Sequence, residues 1–134
     1  MKHKLACNAM IVILMIVLLF HFLVLSKIIN FKNNWGGRLS GENQMYLFET
    51  ISFCLNALLL FSILQKAAYI KQYFSTKFIE TILWIFVFIF CLNTIGNLFA
   101  NNLFEKILGT IFTSAAAYLC FTIVRKNNGR RTSV

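Results

Sequence analysis

Proline is absent from the 134 residues, and so is aspartate. Without proline, no helix carries a proline kink of the kind used in many gates. Without aspartate, and with its two histidines, His3 and His21, far apart in the chain, the sequence has no spacing that would assemble a metal site. No serine stands in a nucleophile elbow or beside a candidate base, and phosphate cradles and nucleotide fingerprints are missing. The four cysteines, Cys7, Cys54, Cys91 and Cys120, fall one per apolar stretch and form no CxxC pair. A membrane thiol oxidoreductase would show a paired motif near a loop, so these thiols are expected to be reduced packing residues. Charge is scarce too, at 13% of residues, against 59% hydrophobic and 16% aromatic. One soluble core of this size could not hide that much apolar surface. The absences leave no expected catalytic, cofactor-binding or metal-binding residue and argue against an enzyme.

What is present reads as a single all-α integral membrane domain over residues 1–134. Four apolar stretches, about 5–26, 45–64, 79–99 and 107–124, can each cross roughly 30 Å of hydrocarbon at about 1.5 Å per helical residue. The run after Met1-Lys2-His3-Lys4 spans about twenty residues, longer than the roughly 7–15 of a cleavable signal segment, and is expected to stay as an anchor.

The net charge of +9 does not form a basic face, so nucleic acid is not the expected partner. The basic residues flank the apolar stretches instead. With the N terminus inside, Lys2, Lys4, Lys66, Lys71, Lys77, Arg125, Lys126, Arg130 and Arg131 are cytoplasmic, which is nine, and Lys27, Lys32, Arg38 and Lys106 are outside, which is four. That asymmetry predicts an antiparallel four-helix bundle with both termini cytoplasmic, in a bacterial inner membrane. The tail 125–134 is basic and polar and is expected to be disordered.

The outer loop from Lys27 to Gln44 carries Trp35, Gly36, Gly37 and Arg38 and is the best candidate for recognition from outside. The cytoplasmic loop Gln65 to Phe78 reads as a basic, aromatic turn at the inner leaflet. Ala100 to Lys106 allows only a tight outer turn.

Polar residues inside the spans carry the rest. Glu49, Ser52 and Asn56 follow spacings of three and four and line one face of the second helix. If the helix begins near Met45, Glu49 lies about 6 Å inside the boundary, where a carboxylate is expected to have a partner or to keep its proton; if the helix starts later, Glu49 is interfacial. The third helix ends in Asn93, Thr94, Gly96 and Asn97, with Asn93 and Asn97 on a shared face. His21 lies near the outer end of the first helix, and Glu105 starts the fourth, where the helix dipole favours a carboxylate. Gly109, Thr113 and Ala117, beside Ala116 and Cys120, permit close helix contact. With alternating helix directions, His21, Glu49, Asn93, Asn97 and Glu105 all reach the outer half of the bilayer. They are expected to form a polar cluster in which Glu49, Asn93 and Asn97 touch. The cluster either fixes helix register or lines a small cavity for a cation, a proton or a polar headgroup.

The segment Leu92 to Val124, LNTIGNLFANNLFEKILGTIFTSAAAYLCFTIV, resembles a group of small, uncharacterised bacterial four-helix membrane proteins. They share an LNTxGN stretch, a following glutamate and a small-residue last helix. In that group a proline follows the last-helix threonine, where Ser114 follows Thr113 here. The resemblance implies fold and topology only.

The functional expectation is a non-enzymatic interaction protein, an accessory subunit or immunity factor that meets a membrane-protein partner or a second copy in the bilayer. The alternative is a small oligomeric ion or solute transporter using Glu49.

Overall fold

A computed structural model describes residues 3–30 and 40–125. The loop residues Trp35, Gly36, Gly37 and Arg38, and the tail from 126 onward, lie outside the described residues. Four helices dominate: α1 (His3–Leu25), α2 (Glu42–Lys66), α3 (Thr76–Leu98) and α4 (Thr110–Arg125), the last entered through a π-helical segment, Glu105–Gly109. There is no strand among the described residues. Counting the π segment with α4, each helix is long and apolar enough to cross a membrane, at 23, 25, 23 and 21 residues.

Helices α1, α2 and α3 begin two or three residues before their apolar runs, taking polar residues into the first turn. Extended Gly41 precedes α2, whose first turn holds Glu42, where the dipole welcomes a carboxylate. Ser75 caps α3 by accepting a hydrogen bond from the Phe78 amide at 3.3 Å. The C-termini of α1 and α2 close with a left-handed residue, Lys27 (φ 60) and Ala68 (φ 59). The next amides reach back across the last turn, Ile28 N to Leu23 O at 3.0 Å and Tyr69 N to Leu64 O at 2.9 Å. This Schellman closure usually carries glycine, so both residues bear a Cβ penalty of about 1 kcal/mol.

The core is concentrated at the end of the bundle where α2 turns into α3. One cluster joins Ala6, Cys7, Met10 and Leu14 of α1, Leu59 and Ile63 of α2, Ile79 to Phe90 of α3, and Ala116 to Val124 of α4. α3 packs most extensively on α4 and α1 on α2, while α2 meets α3 much less. The small residues Ala116, Ala117 and Cys120 are buried in that core, where they let backbones close up and gain dispersion contacts, the main attraction between helices in lipid. Away from it the packing thins. No residue of α3 after Phe90 is buried.

The 67–75 turn is also more than a surface loop. Gln65, only 5% exposed, accepts hydrogen bonds on Oε1 from the Tyr73 and Phe74 amides at 2.7 and 2.8 Å. Phe61 packs on the rings of Tyr73 and Phe74. Lys66 Nζ meets Glu80 Oε1 at 3.1 Å with side-chain exposures of 5% and 18%. Tyr69 donates to Asn8 Oδ1 at 2.6 Å, tying the turn to α1.

Candidate functional site: a carboxylate–imidazole pair and an amide–hydroxyl seam

Because α2 starts at Glu42, Glu49 lies seven residues in, about 10 Å along the axis rather than the 6 Å expected from a start at Met45. Its side chain is 1% exposed and finds its partner on α1: His21 Nδ1 is 2.5 Å from Glu49 Oε2, with His21 at 13% exposure. One proton is held between the imidazole nitrogen and the carboxyl oxygen. Phe20 packs its ring edge against the imidazole at 5.8 Å. Further toward the open end, Lys27 Nζ donates to Glu42 Oε2 at 2.9 Å and sits 5.7 Å over the Tyr46 ring. That hydrogen bond and the carboxylate's charge hold the Lys27 ammonium above its ordinary value. Residues 42, 46 and 49 of α2, spaced by four and three, thus meet His21 of α1 and Lys27 just past its end along one face.

The rest of the α2 stripe turns inward on its own helix. Asn56 Nδ2 donates to the Ser52 carbonyl at 2.7 Å, and Asn56 Oδ1 is buried with no hydrogen-bond partner. Ser52 is half-buried.

A second polar group joins α3 to α4. Thr113 Oγ1 donates to the Gly109 carbonyl at 2.7 Å and accepts from Asn97 Nδ2 at 3.4 Å. Thr94 Oγ1 lies 2.8 Å from both Phe90 O and Thr113 Oγ1, so its one proton is shared between them. Glycine at 109 leaves room for the Asn97 amide in this seam. A Cβ there would fall 2.8 Å from Asn97 Cγ and Nδ2. The close approach occurs at the end of the π-helical segment, a wider turn that re-aims the backbone carbonyls.

The expected single cluster is therefore divided. His21 and Glu49 pair across α1 and α2, whereas Asn97 turns to Thr113 of α4 rather than to Glu49. Asn93 is exposed and makes no hydrogen bond among the described residues. Glu105 stands half-exposed in the first turn of the π segment. The correction has a simple cause: helix α2 packs on α1 far more than on α3, so the polar faces of α2 and α3 point to different neighbours. Thr113, Gln65 and the Lys66–Glu80 pair escaped the sequence reading. Thr113 was noted only as a small residue, and a lysine at a helix end looks like an ordinary membrane flank.

Chemically, the His21–Glu49 pair can hold and pass a proton. Among the described residues no three His, Cys, Asp or Glu side chains gather as metal ligands. All four cysteines are free thiols, Cys7 and Cys120 buried, Cys54 and Cys91 exposed. Compared with known proteins, the chain matches no family model, no curated protein and no solved structure.

Proposed function

We propose that the protein is a non-enzymatic, multi-pass protein of a bacterial cytoplasmic membrane that works by contact within the bilayer, as an accessory subunit or an immunity factor. In this reading the helices run antiparallel with both termini cytoplasmic, as the nine-to-four division of basic residues favours. The observation that carries it is the outer half of α3. Past Phe90 this segment has no fully buried residue, only Thr94 and Asn97 being half-buried, and it holds the polar and small residues Asn93 and Gly96 in exposed positions. Such a face suits a neighbouring helix better than lipid.

The buried Glu49 with its imidazole favours a second reading, an oligomeric transporter that moves protons or cations through this pair. One preparation tests both. The protein is purified in mild detergent, co-purifying chains are identified, and the same sample is reconstituted in liposomes for proton and cation flux. A retained partner and no flux support the interaction reading. Robust flux that is lost in Glu49→Gln, with no partner retained, overturns it in favour of transport.

A further inference from the structure

Asn93 lies five residues before the end of α3 at Leu98, about 7 Å along the axis, within an apolar span of 23 residues. Apart from Asn43 in the first turn of α2, the other carboxamides of the spans each make at least one hydrogen bond, although Asn56 Oδ1 stays unpartnered. Asn8 accepts from Tyr69, Asn56 donates to the Ser52 carbonyl, Gln65 binds two loop amides and Asn97 donates to Thr113. Exposed hydroxyls such as those of Thr81, Ser114 and Thr122 return to carbonyls of their own helices. Asn93 is the carboxamide lying more than one turn inside a span that makes no hydrogen bond among the described residues. In hydrocarbon an amide without a partner costs several times what it would in water, so a partner from outside the chain is the expected remedy.

The chemistry of the face identifies that partner. An asparagine amide is its own complement, with two N–H donors and one carbonyl acceptor, so two copies related by a two-fold axis can exchange a pair of N–H···O bonds. Gly96, one turn on, has open space around the place a Cβ would occupy. A second helix can close there to short range. Between Glu80 and Glu105 no residue is charged. Two copies of a chain with net charge +9 can therefore meet on this face without placing like charges against each other. The flanking Leu92, Ile95 and Phe99 are all exposed and give the contact an apolar border.

We propose that the outer half of α3 is a self-association surface on which Asn93 of one copy hydrogen-bonds Asn93 of a second copy, with Gly96 setting the close approach. The proposal rests on the interaction reading above and narrows its partner to the same chain. Energy transfer between labelled copies in liposomes, measured over a range of protein-to-lipid ratios, tests it. The wild type should form dimers, and Asn93→Gln should keep them. Asn93→Leu should weaken association roughly ten-fold, and Gly96→Leu should weaken it as well. Because Asn93 makes no hydrogen bond among the described residues, Asn93→Leu should leave the monomer's thermal stability unchanged, which separates a lost contact from a lost fold. A wild type that stays monomeric at every ratio, or dimers indifferent to Asn93→Leu, would overturn the proposal. If the chain is monomeric but a different membrane protein co-purifies and is lost in Asn93→Leu, self-association falls while the interaction reading stands. If nothing associates and Glu49-dependent flux appears, both fall.

Discussion

His21 Nδ1 and Glu49 Oε2 lie 2.5 Å apart although 28 residues separate them in the chain, and the pair joins α1 to α2 where buried apolar contacts are few. Its two members are not equivalent. Glu49 is 1% exposed, so removing the imidazole takes a hydrogen-bond partner from a buried acidic group, whereas replacing the carboxyl by an amide leaves two neutral groups that can still hydrogen-bond. His21→Ala should therefore destabilise the fold by about 3 kcal/mol and Glu49→Gln by about 1 kcal/mol. Reversible unfolding in bicelles measures both, and equal losses would contradict the asymmetry.

The Gly109 contact predicts a coupled pair. A methyl group there would stand 2.8 Å from the Asn97 side chain. Gly109→Ala should push Asn97 off Thr113 at a cost of about 1–3 kcal/mol. In an Asn97→Ala background the same substitution should cost much less, because the obstructing amide has gone. Additive losses in the double variant would place the cost elsewhere.

At Ala68 the expected change is a gain. Its φ of 59° is a conformation in which a Cβ is unfavourable. Ala68→Gly should raise stability by roughly 0.5–1 kcal/mol, after allowing for the greater freedom glycine gives the unfolded chain. A lower melting temperature in the variant would count against the Schellman closure described here.

The Lys66–Glu80 pair should behave as a buried ion pair. With Lys66 at 5% side-chain exposure, Glu80→Gln leaves a cation in a low-dielectric site and should cost about 3 kcal/mol. The double variant Lys66→Met, Glu80→Met removes both charges and should recover most of that loss. Calorimetry on the three proteins distinguishes this from a surface pair, where neither change would matter.

Topology is tested without reference to stability. A reporter active only outside the cytoplasm should be silent when fused after Val134 and active when fused after Asn34. The opposite pattern would invert the proposed orientation.

The sequence by itself determined that four helices form and roughly where. Runs of about twenty apolar residues have no other low-energy arrangement in a bilayer, since each backbone amide must be bonded within its own segment. It also marked most of the residues that matter, His21, Glu49, Asn93 and Asn97, because polar groups stand out against an apolar background, while Thr113 passed as one small residue of a close-packing face. The helix starts were less legible. Glu42, Asn43 and Gln44 belong to α2 but carry no apolar signal, and this moved Glu49 deeper than expected. Only the tertiary structure decided who pairs with whom. Periodicity tells which residues share a face of one helix, not which neighbour that face meets. The choice follows from how the helices pack: α2 lies chiefly on α1 and α3 on α4, so Glu49 meets an imidazole, Asn97 meets a threonine, and Asn93 is left facing outward.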